Sequence, residues 1–272
     1  MGNGGTRRVG EPTASGSLNQ FGALFEIYLD AVNGGSAGRR DLTESVVSEL
    51  RDRGVSKVLD CAAGTGFPSL DLARTRGGLL DVRVCDGSAV MIRELARQAQ
   101  RRGMVISELR PDGVDGLVVN WADLGTVTTR YDCVLCRGNA LAYADTWTGR
   151  TRVAPKARVT GYVARMADRV RPGGYLYLDA PRTLDPVDAS HPLPIDGKRI
   201  RERVVRDRGR RHWTVDFERL GGPPIRFERY SSLLTIDRVA IILDELGFEE
   251  TSPFRLPAER AGFGTIIARK PG

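Results

Sequence analysis

Val58-Leu59-Asp60-Cys61-Ala62-Ala63-Gly64-Thr65-Gly66, residues 58–66, runs an apolar strand into a glycine-rich turn. Glycine lets backbone pass close beneath a ligand, and such a turn sits where a parallel sheet opens its binding crevice. Asp86 closes the next apolar run, 22 residues beyond Gly64. A carboxylate there can accept hydrogen bonds from both ribose hydroxyls of an adenosine compound. The full dinucleotide pattern Gly-x-Gly-x-x-Gly is absent, because Phe67, Pro68 and Ser69 follow Gly66. A pyrophosphate ligand is therefore disfavoured, and an adenosine ligand without phosphate remains open.

Outward from this stretch, short apolar runs alternate with helical ones. Lys57 to Asp60, Asp81 to Cys85, Leu117 to Asn120, Tyr131 to Cys136 and Tyr175 to Asp179 read as strands. Ser69 to Arg74, Val90 to Arg101 and Ala157 to Val170 read as helices, so the class is α/β, a Rossmann-like parallel sheet with helices on both faces. Arg171-Pro172-Gly173-Gly174 is a stop-and-turn signal. Upstream, Phe21 to Arg53 carries apolar residues at helical spacing, broken at Asn33 to Gly38. After Asp179 the rhythm changes. Arg199 to Arg206, His212 to Phe217 and Ile225 to Leu234 predict three strands of a small antiparallel insertion. A helix over Ile236 to Leu246 and a closing hairpin of Phe248 to Phe254 with Gly262 to Ala268 complete the chain. The expected divisions are a flexible tail over 1–20, helices and core over 21–181, an insertion over the substrate site at 182–234, and closing elements over 235–272.

The chain has 272 residues, 41% hydrophobic and 28% charged, enough for a large core and too ordered in pattern for a fibre or disordered chain. Two histidines and four cysteines exclude a zinc framework at ordinary ligand spacing, and no metal is expected. Cys133-Val134-Leu135-Cys136 matches a redox Cys-x-x-C only superficially, since strand residues three apart point to opposite faces. No apolar run reaches membrane length and the start lacks a signal-peptide core, so the expected compartment is the cytoplasm. Met1-Gly2-Asn3-Gly4-Gly5-Thr6 fits an N-myristoylation pattern only formally.

The net charge is +7, and the lysines are Lys57, Lys156, Lys198 and Lys270 alone, the remaining basic residues being arginines. Such a bias is what a GC-rich bacterial gene produces, so a high pI is no argument for nucleic acid. Lys198 to Arg211 holds eight basic residues against Glu202 and Asp207, which accounts for nearly all of the excess. On a strand, Arg199, Arg201 and Arg203 share one face and Ile200, Glu202 and Val204 the other, which makes a solvated face over an apolar one. An anionic substrate, a partner protein or RNA are the other readings of that face, and the lack of interleaved aromatics weakens RNA.

These residues together resemble the class I S-adenosylmethionine-dependent methyltransferases, over most of the chain. Val58 to Gly66 is similar to their cofactor loop, Asp86 with Met91 to their ribose and adenine-edge pair, Asn120-Trp121 to the adenine clasp, and Val170 to Gly174 to the turn before their fifth strand. Within that superfamily, Asn120-Trp121 with Cys136-Arg137-Gly138-Asn139-Ala140 most resembles the glycine and sarcosine N-methyltransferase group. The resemblance implies S-adenosylmethionine as cofactor, held by Arg40, Asp60, Ala62, Gly64, Gly66, Asp86, Met91, Asn120, Trp121 and Arg137. It implies substrate contacts from Tyr28, Asn139, Arg182 and Tyr230. The chain departs from the group's Asp-His-Arg after strand five, reading Asp179-Ala180-Pro181-Arg182.

The expected activity is methyl transfer to a small molecule, at an amine nitrogen, in bacterial amino-acid or natural-product metabolism. A sulfonium methyl carries its own leaving group, so few catalytic side chains are needed. An oxygen nucleophile would call for a general base such as histidine, and His191 and His212 show no triad-like neighbours in the sequence. The alternative is the same fold used for elimination or cyclisation of an anionic precursor, with a partner protein; association with a partner protein or as a homo-oligomer is open for either reading.

Overall fold

The computed structural model describes residues 17–75, 80–144, 146, 155–192, 199–219, 222–254 and 262–272. The formal myristoylation pattern, most of the expected tail and Lys198 lie outside the described residues. Two helices open the described chain, α1 (Ser17–Val32) and α2 (Gly35–Asp52), so the last residues assigned to the tail are helical. There follow β1 (Lys57–Asp60), α3 (Ser69–Ala73), β2 (Asp81–Val84), α4 (Ala89–Arg101), β3 (Tyr131–Cys136), α5 (Lys156–Arg169) and β4 (Val170–Pro181). An inserted group comprises β5 (Val187–Pro192), β6 (Arg199–Asp207), β7 (Arg210–Arg219) and β8 (Gly222–Ser231). Then come α6 (Ile236–Glu245), β9 (Glu250–Phe254) and β10 (Phe263–Arg269).

The main sheet runs β2-β1-β3-β4-β10-β9. Its first four strands are parallel, and β10 enters antiparallel between β4 and β9. Parallel strands are covered on both faces and so read as near-continuous apolar runs, which is why β1 and β3 were legible. Alternation in β3 splits the core. Val134 and Cys136 pack with α5 and α6, through Val163, Met166, Val239 and Leu243. Cys133 and Leu135 face the opposite layer, with Val46 and Leu50 of α2 and Leu95 of α4. All four cysteines are free and buried, Cys133 and Cys136 within β3 and Cys61 and Cys85 one residue past the ends of β1 and β2.

Two sequence expectations change. Leu117 to Asn120 does not extend the sheet: only an isolated parallel bridge, Asp86 to Val118, forms there, with Val118 exposed. The Arg171 to Gly174 turn lies within β4 as a bulge, since Tyr131 pairs with Val170 while Cys133 pairs with Tyr175. Gly174 is required by space, because a Cβ there would sit 2.8 Å from the Asp132 carbonyl oxygen.

The inserted sheet has four strands in the order β5-β6-β7-β8, one more than the sequence predicted. β5 is the added one. It is polar, ends in Pro192 and lies at the edge, where a missing N–H is tolerated. Inward-facing Ile200, Val204, Trp213, Val215, Phe217 and Phe227 form a third cluster with Tyr28 and Met91, joining this sheet to α1 and α4.

Leu135 is fully buried in β3. Leu135→Ala is expected to lower stability by about 2–5 kcal/mol, seen as an earlier denaturant midpoint with an unchanged slope.

Candidate functional site

A cavity of about 420 Å³ opens at the carboxyl ends of β1–β4, beneath the inserted sheet. Three strand-end carboxylates shape its floor. Asp60, at the end of β1, accepts from the Ala62 N–H at 3.0 Å and from the Ser69 hydroxyl at 2.5 Å. Asp86, past the end of β2, accepts from the Gly64 N–H at 2.9 Å and the Ser88 N–H at 2.7 Å. Asp179 of β4 accepts from the Gly138 and Asn139 N–H groups, both at 2.8 Å.

Burial pushes the carboxyls of Asp60 and Asp86 up to about 6, against the pull of the hydrogen bonds they receive. Gly66 has a φ of 110°, and a Cβ there would meet Leu70 Cδ1 at 2.5 Å, so this position admits no side chain. Asn139 adopts a left-handed φ of 58° with its N–H held by Asp179. Its Oδ1 is buried without a hydrogen-bond partner and belongs to a residue lining the cavity.

The inserted sheet brings a second set of polar groups over this floor. Glu202 of β6, 5% exposed, accepts from the Tyr28 hydroxyl at 2.8 Å and from Trp213 Nε1 at 2.9 Å through one oxygen. His191 Nε2 lies 3.2 Å from its other oxygen. The histidine that lacked a neighbour in the sequence therefore has one across the β5–β6 pairing, and both side chains line the cavity. The Tyr28 ring meets Trp213 edge-on at 5.4 Å.

Tyr28, Asp60, Ala62, Gly64, Asp86, Met91, Arg137 and Asn139 line this one cavity. Gly66 lies in the same turn without facing it. The remaining predicted residues lie elsewhere. Trp121 Nε1 donates to the Cys61 carbonyl at 2.7 Å and its ring meets Tyr162 edge-on, which commits it to the core side of the turn. Asn120 is exposed beside Gly87.

Arg40 faces solvent over a separate groove between α1, α2 and α4. The phase of α2 turns Arg39 inward instead, onto Glu26 at 2.9 Å and Asp30 at 2.6 Å. Arg182 is exposed, because its N–H is tied to the Gly262 carbonyl and its guanidinium lies against Gly264. Tyr230 is on the outer face of β8, stacked on His212 at 4.6 Å with the Arg210 guanidinium 3.7 Å above it. Strand parity puts its neighbour Arg229 on the inner face.

Glu202, His191, Asp179 and Arg211 were not singled out from sequence, although all four line the cavity. Parity carried a signal for two of them: Glu202 shares a face with Ile200 and Val204, and Arg211 with Trp213 and Val215. The outer row of arginines is solvated, with Arg201 and Arg203 on Asp188 at 3.3 and 3.5 Å and Arg199 on Ser190. Among the described residues no cluster of His, Cys, Asp or Glu could hold a metal ion. Nor is any helix there long and apolar enough to cross a membrane.

No protein-family model matches the chain. A methyltransferase from Clostridium acetobutylicum, S-adenosylmethionine-dependent, superposes with a TM-score of 0.63 at 14% identity, covering 93% of this chain and 99% of that one. An amino pentose methyltransferase of calicheamicin biosynthesis from Micromonospora echinaspora, solved with S-adenosylmethionine bound, gives 0.64 at 17% identity over 91% and 96%. The fold is that of the class I S-adenosylmethionine-dependent methyltransferases. In sequence, the methyltransferase-like chain is 28% identical over 134 residues to a glycine/sarcosine N-methyltransferase of Halorhodospira halochloris, 49% of this chain and 42% of that protein. The match thus spans less than half the length of that relative.

Glu202 joins the inserted sheet to α1, so its loss strands two buried donors. Glu202→Ala is expected to cost about 3 kcal/mol, and Tyr28→Phe, which removes one of the donors, about 1 kcal/mol. Chemical denaturation of the two variants checks the ratio.

Proposed function

We propose that this chain is an S-adenosylmethionine-dependent methyltransferase that methylates an amine nitrogen of a small molecule, in bacterial amino-acid or natural-product metabolism. One observation carries the reading: a single cavity is lined both by the Gly64–Asp86 cradle and by Tyr28, Asn139 and the Glu202–His191 pair. The residues present fit the cofactor. Each Asp86 oxygen takes one backbone N–H and keeps a lone pair for a ribose hydroxyl. Met91 adds a soft apolar wall.

When bound, the cofactor supplies a methyl group on a sulfonium centre that leaves as a neutral thioether. The chain's own task is to bind, orient and exclude water. Asp60 and Asp86 would hold the loop and the ribose, and Arg137 lies close to Asp179, with Nε 3.9 Å from Oδ2. The unpartnered Asn139 Oδ1 is placed to accept from an amine N–H and aim its lone pair. Such positioning can supply about 7–11 kcal/mol of barrier reduction. The glycine/sarcosine N-methyltransferase named above acts, by its description, on nitrogen, which supports that acceptor atom. A hydroxyl acceptor is a second reading, favoured by the His191–Glu202 pair, since a neutral imidazole held by a carboxylate is a competent base.

Transfer of a labelled methyl from S-adenosylmethionine to a panel of small amines and alcohols tests this. Label on amines, abolished by Asp86→Ala, is expected. Label on alcohols alone would move the reading to oxygen, and cofactor binding with no transfer to any member would count against it.

The pH dependence has a definite sign. Ionised Asp86 accepts from ribose hydroxyls and the protonated acid gives up an acceptor, so affinity for S-adenosylhomocysteine should be full above the carboxyl's value of about 6. It should weaken as pH falls through that value, by up to about tenfold per unit. Asp86→Asn should bind more weakly at neutral pH and with a flatter profile in calorimetric titration.

A further inference from the structure

Arg211 is 5% exposed, lines the cavity and has a buried Nε with no hydrogen-bond partner. Among the described residues no carboxylate lies within ion-pair distance of it. Directly opposite on β8, Ser231 is 1% exposed and its Oγ is likewise buried and unpartnered. Paired cross-strand residues share a face, so two orphaned polar groups stand side by side on the inner face of the inserted sheet. Arg229 lies on that face as well. A buried guanidinium without a partner costs stability that a neutral side chain of similar length would not. Glu202 is near enough to favour the charge but is occupied by Tyr28, Trp213 and His191.

We propose that Arg211 is the anion-recognition residue of the acceptor chamber, so that the methylated molecule carries an oxyanion, a carboxylate or a phosphate, held by the guanidinium fork. This rests on the methyltransferase reading for the identity of the bound molecule. The anion site itself does not. The planar fork matches two oxygens of either group. Arg182, the arginine expected to contact the substrate, is exposed outside the cavity. The inserted sheet therefore takes over a role that the resemblance gave to the end of β4.

The test is thermal unfolding of the full chain and of Arg211→Met, each with S-adenosylhomocysteine and with three probes: sarcosine, O-phosphoethanolamine and ethanolamine. The expected result has three parts. Sarcosine or O-phosphoethanolamine, whichever oxyanion the chamber fits, raises the midpoint of the wild type, and ethanolamine does not. Arg211→Met loses that response, unfolds at a higher temperature than the wild type when unliganded, and keeps the S-adenosylhomocysteine shift. Affinity for the responding probe should fall about 10- to 100-fold. A wild type indifferent to both anions, an ethanolamine response equal to theirs, or an undiminished anion response in Arg211→Met would overturn the proposal. So would loss of the S-adenosylhomocysteine shift in that variant, which would make Arg211 a structural residue. A wild type that responds to anions and ignores S-adenosylhomocysteine would sink the methyltransferase reading and leave the anion site standing.

Discussion

Every loop that leaves a parallel strand presents backbone N–H groups with no strand to receive them, and a carboxylate at or just beyond the strand end answers that need three times in this chain. Asp60 takes the Ala62 N–H, Asp86 those of Gly64 and Ser88, and Asp179 those of Gly138 and Asn139. The turns they hold are sterically demanding, with Gly64, Gly138 and Asn139 all at positive φ. Without an acceptor in place these conformations would be exchanged for more relaxed ones, and the cavity floor would lose its shape. The carboxylates are thus both scaffold and lining. Burial raises two of them toward neutrality, and the N–H groups they receive keep the ionised form accessible.

The second dependency is the join between the inserted sheet and the rest. Apolar contact supplies most of it, with Trp213, Phe217 and Phe227 set against Tyr28 and Met91. Glu202 fixes the register of that contact, because an apolar surface alone would tolerate sliding. A carboxylate that must satisfy Tyr28 from α1, Trp213 from β7 and His191 from β5 permits one arrangement of the three.

The main sheet was legible because its strands are buried on both faces: β1 and β3 have the limits that their apolar runs give. The strand-end carboxylates were legible for a similar reason, standing at the abrupt change from apolar run to glycine. What the sequence hid depended on geometry between segments. Leu117 to Asn120 has strand composition but gains only one bridge, and β5 has poor strand composition but gains a partner. Tyr230 lies one residue out of register with the cavity, since parity turns Arg229 inward and Tyr230 outward. Helix phase sets Arg40 away from the cavity, and Arg182 lies outside it because pairing of β10 with β4 continues to Pro181 and ties the next residue to Gly262. Glu202 was visible as a charge on an apolar face. Its partners, 11 and 174 residues away in sequence, were not.

The rims of the inserted sheet carry a last consequence. β5 ends in Pro192 and β8 carries Pro223-Pro224 near its start, so both outer strands lack N–H donors at these prolines. An open four-stranded sheet invites growth by a strand from another molecule. With donors missing at one end of each rim, such growth finds an interrupted ladder. Pro192, which helps to disguise β5 as a loop in the sequence, thus also interrupts the edge along which the sheet could be extended.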